Sequence, residues 1–549
     1  MKLVSKKFAV VLLAGTTSLA LASAVQASGK HNSDGTPAAQ STDSDAKIQA
    51  LESEIQDLST QVQDLKRSTG DEYTDVQNQQ ATAVKVTIAN GRPTISSADG
   101  NFTAVIRALA QYDYAYYSQT AAGAALPAAY GPDLSSGSNF RRVYLGIQGK
   151  LFGDWSYNFN YDFGGSGGTE TPGHVQSVYL EYDGLVPWAF RVGAYPPPAN
   201  IEDGTSSGDT IFLERNSPSN LQRGLAGGDG RDAVTVLYAG DRLYGALSYT
   251  GAKVQDSAVF DEQQALLGRV SDLVYQDADT RLLIGANGTY IFKLPDAVAA
   301  GGAVLAKTPG ATALNSVTLS DPPELTVDSN GIKLANTGSL PASHVSQWGV
   351  EAAGNYQNVY GQVGYYGFQV DRAPVAYKTF TGSSTSATSV VQPRNNSFSA
   401  WYVQASWILT GESKGYNTAN GAFTPPKPAK PFSLSNGDWG AWELAARYSD
   451  LNLNSHATDG ANVITNWTGA STRTYTYYNT VRGGDQRIAT VGLNWYPNNT
   501  IRFALEYQWI DVNRLQAPAA VTTTGTPVLP AVSGGQTIQA VALRAQVAF

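Results

Sequence analysis

The chain of 549 residues contains no cysteine, so no disulfide framework can stabilise it. Its stability must therefore come from backbone pairing and side-chain burial. After residue 27 the chain also lacks an apolar run of about 18 residues, which excludes a helix that crosses a membrane. A closed barrel is the remaining way to span a membrane, because only helices and barrels satisfy every backbone N–H and C=O group in lipid.

Residues suited to metal binding or catalysis are also scarce. The four histidines lie far apart, with no cysteine or second histidine near any of them: His31, His174, His344 and His456. This pattern predicts no metal site, and no cofactor is expected. Residues 164–168 match G-x-S-x-G literally, but that nucleophile motif requires a strand leading into a helix. Here the motif follows an amphipathic strand, and we interpret it as a hairpin turn in which glycine supplies positive φ.

The charge balance limits the possible partners. The formal net charge is −8, which argues against nucleic acid as a partner. It does not exclude an anionic solute, because attraction inside a channel depends on the charges that line it rather than on the total.

The N-terminus has the features of an export signal. Three lysines precede an apolar stretch at residues 8–21, and small residues follow. We expect residues 1–27 to be removed as a signal peptide. Residues 28–45 are rich in Ser, Gly, Thr, Asp and Ala, and they predict a disordered leader.

A short heptad pattern follows the leader. Its apolar residues are spaced alternately by three and four: Ile48, Leu51, Ile55, Leu58, Val62 and Leu65. This pattern predicts a coiled-coil helix over residues 46–67, with a linker over residues 68–91. The seam must be covered by copies of itself or by a partner; a single amphipathic helix lying on its own domain is the alternative. Ile at a with Leu at d would favour a dimer.

From residue 92 onward the pattern has a period of two. Apolar or aromatic side chains occupy every second position in residues 157–163, 401–409, 442–448 and 501–509. The alternate positions carry side chains such as Arg447, Arg502 and Glu506, which a packed β-sandwich could not hide. A barrel with a wet lumen can hold them while it turns its aromatic residues to lipid. We therefore predict an all-β fold, a transmembrane β-barrel over residues 92–549.

Two further patterns fit a barrel. The chain ends in an alternating strand that finishes at Phe549, which resembles the assembly signal of outer-membrane proteins. Segments rich in Gly, Ser, Thr and Pro, at residues 119–139, 291–343 and 412–437, are long enough to be extracellular loops.

Several segments resemble the phosphate-selective porin O/P family. The stretch from Phe140 to Trp155, FRRVYLGIQGKLFGDW, carries the resemblance most specifically, together with residues 440–448 and 491–497. Residues 98–102 resemble the family's barrel start, and residues 205–216 resemble its constriction loop. The similarity spans about residues 95 to 549, and many members of the family also carry an N-terminal coiled coil.

The resemblance implies a 16-stranded antiparallel barrel that assembles as a homotrimer, with an inward-folded loop and basic residues along the wall. By position, Arg141, Arg142 and Tyr144 correspond to the family's constriction strand. Ser206, Ser207 and Arg215 correspond to the inward loop and the residues after it.

The residues themselves support part of this assignment. If Val143 and its alternate neighbours face lipid, then Arg142, Tyr144, Gln148 and Lys150 face the lumen. Arg141 has the opposite parity and would join them only at a β-bulge or outside the strand. Arg107 shares a face with Gln111 on the first long strand and is a further candidate for the wall.

The sequence also departs from the family pattern. Asp203 lies where a basic residue would be expected in the most phosphate-selective members, and Leu109 replaces a common second arginine. Lumenal arginines of any porin can instead pair with acids on the opposite wall, so Arg142 and Arg215 have this alternative interpretation.

These observations favour a passive outer-membrane channel for small anions, with phosphate as the expected solute and the coiled coil in the periplasm. The expected partners are small anions, outer-membrane lipid and two further copies of the chain. The alternatives are a general or sugar-type porin, an outer-membrane structural protein and, least favoured, a barrel hydrolase.

Overall fold

The computed structural model describes residues 41–549 except 90, 120–132, 166–172, 257–260, 296–314, 382–383, 460–462, 469–471, 477, 516–520 and 523–532. The predicted signal peptide and residues 28–40 of the predicted leader lie outside the described residues. The chain divides into two compact units, residues 1–81 and 82–549.

The first unit contains helix α1, Ser41–Thr82, which is longer than the predicted segment 46–67. Residues 41–45, predicted to be disordered, are helical, and most of the predicted linker 68–91 continues the helix. Residues 68–82 contain one glycine and no proline, so nothing in them stops a helix where the apolar seam ends. The seam side chains are all exposed, from 53% at Ile48 to 67% at Leu65. No helix among the described residues is long and apolar enough to cross a membrane.

The second unit is a closed antiparallel barrel, preceded by a hairpin of Lys85–Ala89 and Arg92–Ser96. Its sixteen strands are β1 (Thr103–Gln119), β2 (Gly137–Leu151), β3 (Trp155–Asp162), β4 (His174–Leu185), β5 (Trp188–Ala194), β6 (Arg231–Ala239), β7 (Leu243–Lys253), β8 (Gln264–Gln276), β9 (Thr280–Lys293), β10 (Leu340–Tyr356), β11 (Val359–Arg372), β12 (Asn396–Ile408), β13 (Ala441–Ser455), β14 (Val481–Tyr496), β15 (Ile501–Leu515) and β16 (Ser533–Ala548). Each strand pairs with the next, and β16 pairs with β1, so the sheet closes. The predicted sixteen-stranded barrel is confirmed.

The two faces of the sheet follow the period-two pattern. On β15 the outward side chains Leu505 and Trp509 are 44% and 52% exposed, whereas Glu506 and Gln508 on the alternate positions are buried inside. Exposed aromatic and aliphatic residues recur around the outside of the barrel, and buried charged or amide side chains recur within. The outer face therefore suits hydrocarbon, and the inner face needs polar partners.

The connections differ in length at the two ends of the barrel. One end has short turns, such as residues 152–154, 186–187 and 357–358, and the other end has long connections. Residues 409–440 are an exception, because this long segment joins β12 to β13 at the short-turn end. Segment 412–437, which was predicted to be an extracellular loop, therefore lies on the side that short turns mark as periplasmic. Composition identifies a loop, but only the number of preceding strands decides from which end of the barrel it leaves.

Three connections enter the lumen. Residues 195–230 contain helices α2 (Ile201–Gly204) and α3 (Ser217–Ala226). Residues 315–339 contribute buried leucines from the long-loop end. From the short-turn end, residues 414–426 enter: Arg269 on β8 donates to the Asn420 carbonyl at 2.9 Å, and the Phe423 ring lies 5.0 Å from that of Tyr360. The lumen is thus filled from both ends.

The remaining described strands are short and lie in the connections between barrel strands: Ser316–Val317, Ser320–Asp321, Ala335–Asn336, Val375–Thr381, Ser384–Val391, Lys414–Asn417, Ala422–Pro426, Val463–Thr468, Thr472–Thr476 and Val521–Thr522.

A charge on the outer face should weaken the barrel. Leu505 lies between Leu493 and Leu543 on the neighbouring strands. We expect Leu505→Arg to lower the free energy of unfolding in phospholipid vesicles by about 2–4 kcal/mol, because the guanidinium must enter hydrocarbon. Denaturant titration measures this change, and Leu505→Met is the matched apolar control. Equal stability of both variants would mean that this face does not contact lipid.

Candidate functional site

The inward loop, residues 195–230, is shaped by two local helix starts. Asn200 caps α2, because its side chain accepts the Asp203 N–H at 2.9 Å. Asn216 caps α3 by accepting the Ser219 N–H at 2.8 Å, and Pro218 follows in the first turn. Asparagine caps and an early proline are sequence signals for helix starts. They leave residues 205–216 as an irregular connection of turns and bends between the helices.

Arginines of the wall hold this connection by its backbone. The guanidinium groups of Arg447, Arg502 and Arg544, on β13, β15 and β16, donate to carbonyl oxygens within residues 210–214 at 2.5–2.9 Å. Carbonyl groups inside a lumen need donors, and charged donors form the stronger hydrogen bonds. The loop is therefore fixed against this side of the barrel.

The next strands around the wall, β10, β11 and β12, hold the beginning of α2. The Ile201 N–H donates to Glu351 on β10 at 2.9 Å, while the Glu202 carboxylate accepts from Gln362 and Gln404 at 2.9 and 2.7 Å. The loop leaves the wall between β5 and β6 and is anchored to strands from β10 to β16, so it crosses the lumen and narrows it.

A first ionic cluster surrounds Glu214. Its carboxylate lies 2.7 Å from Arg141, 3.2 Å from Arg142 and 3.3 Å from Arg544. The side chains in this cluster are all at most 10% exposed. Burial alone would raise the pKa of Glu214, but the three guanidinium groups hold that pKa well below its ordinary value. Glu214 is therefore a permanent anion that offsets part of the arginine charge.

A β-bulge brings both arginines to this cluster. Arg142 pairs with Gln111 on β1, whereas Tyr112 pairs with Phe140, so Arg141 is the extra residue between them. The parity of the sequence requires such a bulge if both guanidinium groups are to face the lumen, and the structure contains it.

A second ionic cluster lies around Arg223 on α3. Its guanidinium contacts Asp203 and Asp229, both at 2.5 Å. Arg215 donates to the carbonyl groups of Glu202 and Thr205 at 3.1 Å and lies 3.9 Å from Asp203. Asp203, which departs from the family pattern, therefore offsets the charge of Arg223 and part of that of Arg215.

A cavity of about 460 Å³ opens between these clusters on the long-loop side of the inward loop. We call it the basic cavity. Among its described lining residues are six basic side chains and four carboxyl groups: Arg141, Arg142, Arg215, Arg223, Lys253 and Lys333, and Glu214, Asp229, Asp321 and Glu324. The lining therefore has an excess of basic groups in a chain whose net charge is negative.

Three of the eight predicted site residues, Arg141, Arg142 and Arg215, meet at this cavity. The other five are not among the lining residues: Arg107, Tyr144, Lys150, Ser206 and Ser207. Arg107 donates to Gln148 at 2.8 Å, and Lys150 pairs with Asp183 at 3.2 Å beside a short turn. Ser206 is exposed and Ser207 is half-buried at the bend of the inward loop.

Sequence reasoning did not single out several residues that shape the site. Parity placed Arg447 and Arg502 in the lumen, and Arg544 has the same parity, but no sequence pattern assigned these three arginines to the site. No sequence pattern indicated Glu214 or Asp229. Their role is to pair with arginines, and these arginines come close only in the folded barrel.

A closed barrel with an apolar exterior, a charged lumen and a loop folded across it defines a porin-type channel. Residues 127–549 match the model of the family described as phosphate-selective porin O and P. The chain belongs to this family, and it is an outer-membrane channel for small anions.

The chain shares a low sequence identity with the individual proteins that it resembles. The chain is 23% identical over 419 residues to Porin O of Pseudomonas aeruginosa, covering 75% of this chain and 84% of that protein. Two solved structures are also similar to the chain. One is OmpT of Vibrio cholerae, at 12% identity and a TM-score of 0.40 over 81% of this chain and 98% of that chain. The other is an anion-selective porin from Comamonas acidovorans, at 10% identity and a TM-score of 0.41 over 81% and 99%.

Removing the central carboxylate should increase the anion preference. In Glu214→Gln, Arg141 and Arg142 keep their charge but lose their carboxylate partner, so the lumen becomes more positive. We expect the zero-current potential of single channels in a salt gradient to shift further in the anion direction. Glu214→Asp, which keeps the charge, is the control. An unchanged potential in Glu214→Gln would show that permeating ions do not pass this cluster.

Proposed function

We propose that phosphate is the physiological solute of this channel, and that it passes through the basic cavity. The observation that carries this proposal is the excess of basic groups over carboxyl groups in the cavity lining. An anion that leaves bulk water needs comparable partners, and the guanidinium groups of Arg142 and Arg215 offer forked donors for phosphate oxygens.

The ion pairs within the lumen favour passage over tight binding. Arg142 already contacts Glu214, and Arg223 already contacts two carboxylates. A phosphate ion therefore meets several partly neutralised donors rather than one strong site. Conduction requires such a balance, because binding must be strong enough for the ion to enter and weak enough for it to leave.

The remaining predicted residues have proposed places along the same route. Ser206 and Ser207 add neutral donors at the bend of the inward loop, and Arg107 and Lys150 lie on β1 and β2 toward the short-turn end. Tyr144 lies between Arg142 and Gln148 on the lumenal face of β2. Together with Arg141, Arg142 and Arg215 they form the proposed anion pathway.

We further propose that the channel is a homotrimer and that α1 lies in the periplasm. The exposed seam of α1 needs a cover, which further copies of α1 can supply. The first barrel strand begins at the short-turn end, the end that faces the periplasm in outer-membrane barrels.

The proposal is tested with the purified protein in planar lipid bilayers. We expect ohmic channels whose zero-current potential in a potassium chloride gradient indicates anion preference. Added phosphate should lower the chloride current, because both ions use the same guanidinium groups. Cation preference without phosphate block would refute the proposal and favour a general porin.

Loss of two cavity arginines should reduce this preference. In Arg142→Ala combined with Arg215→Ala, we expect the anion-to-cation permeability ratio to fall severalfold, because two of the six basic lining groups are lost. Heat-modifiable mobility in gel electrophoresis verifies that the barrel still assembles. Arg394→Ala, at an exposed position of a long connection, is the control and should leave the ratio unchanged. If the double variant keeps the wild-type ratio, these arginines only balance lumenal acids.

A further inference from the structure

Asp229 lines the basic cavity and is flanked by two glycines whose φ angles are positive. It lies between Gly228 and Gly230, whose φ angles are +91° and +63°. A Cβ atom at position 230 would lie 2.7 Å from the carbonyl oxygen of Val175 on β4. Glycine at 230 allows the chain to pass close to this strand, and glycine at 228 supplies the positive φ, while the Asp229 side chain lines the cavity.

One oxygen of the Asp229 carboxylate is engaged by the protein. Oδ1 accepts from Arg223 Nη2 at 2.5 Å and from Gln176 Nε2 at 3.3 Å. In the part of the chain that the structure describes, no donor reaches Oδ2. The side chain keeps 11% exposure, and it shares the cavity lining with Arg142 and Arg215. Oδ2 is therefore available to a solute that contacts these arginines.

Asp229 also stays ionised. Burial would raise its pKa, but the guanidinium groups of Arg223, Arg142 and Arg215 hold the pKa well below its ordinary value. An ionised carboxylate oxygen accepts hydrogen bonds and cannot donate one. Any solute oxygen that approaches Oδ2 closely must therefore carry a proton.

The other three carboxyl groups of the cavity differ from Asp229. Glu214 accepts from guanidinium groups with both of its oxygens. Glu324 accepts the Ser217 N–H and lies 2.5 Å from Arg447. Burial raises the pKa of Asp321 well above its ordinary value, which favours the neutral form. Asp229 differs from these three groups because it stays ionised and because, among the described residues, no donor hydrogen-bonds to its Oδ2.

We infer that Asp229 makes the basic cavity selective for tetrahedral anions that carry a hydroxyl group, an inference that rests on the proposed function. Hydrogen phosphate can donate its O–H to Oδ2 of Asp229 while its other oxygens accept from Arg142 and Arg215. Sulfate has the same shape and charge but no proton at neutral pH, so its oxygen would meet the carboxylate lone pairs. A site built to accept a solute hydroxyl discriminates strongly against an analogue without it.

The test compares phosphate and sulfate as blockers of the chloride current through the intact channel. We expect wild type to require about tenfold more sulfate than phosphate for half-block, the factor for one hydrogen bond to a charged group. In Asp229→Asn the carboxamide can donate to sulfate, so the two half-block concentrations should converge. Asp229→Glu should restore the difference. Asp241→Asn removes an equal charge at an exposed turn and should leave the wild-type ratio.

A general change in lumenal charge would strengthen the block by both anions and leave the ratio of their half-block concentrations unchanged. A change in this ratio therefore identifies the specific role of Asp229. Arsenate and selenate test wild type without any substitution: protonated arsenate should follow phosphate, and unprotonated selenate should follow sulfate. Equal block by phosphate and sulfate in wild type, or an unchanged ratio in Asp229→Asn, would overturn the inference and leave the phosphate channel standing. An absence of block by either anion would instead overturn the proposed function.

Discussion

The pathway depends on hydrogen bonds from wall guanidinium groups to the backbone of the inward loop. Arg447, Arg502 and Arg544 donate to carbonyl oxygens within residues 210–214 from three strands of one side of the barrel. The backbone acceptors that the loop buries inside the lumen each need a hydrogen-bond donor. Because these donors are charged and project from a closed sheet, they fix the loop in one position. The basic cavity exists only while the loop stays there.

The same arginines also pair with carboxylates of the lumen. Arg544 contacts Asp113 and Glu214 in addition to its loop carbonyl, and Arg447 lies 2.5 Å from Glu324. An unpaired buried charge is costly, so most lumenal cations have a carboxylate partner. A modest cationic excess remains around the basic cavity. Such an arrangement attracts an anion without holding it, which suits a passive channel more than a binding protein.

Local patterns predicted much of this molecule. The period-two alternation identified which side chains of β12, β13, β15 and β16 face outward, since side-chain direction along a strand follows from the backbone alone. Parity also predicted that Arg141 could join Arg142 only at a bulge or outside the strand, and the structure has the bulge. The end of the barrel at which residues 412–437 leave was predicted wrongly, because that depends on counting every preceding strand. The length of α1 was underestimated, because a helix can continue after its apolar seam has ended.

The sequence by itself determined the barrel, the polarity of its two faces and the candidate arginines of β2, since each follows from residues close together along the chain. The tertiary structure alone decided which acid neutralises which arginine. Glu214 lies 73 residues from Arg141 and 330 from Arg544, and no local pattern links them. They meet because the sheet closes and the inward loop crosses the lumen. Whether an arginine is neutralised depends on which carboxylates lie near it in space. The number of basic side chains that stay available to a solute could therefore be counted only in the folded barrel.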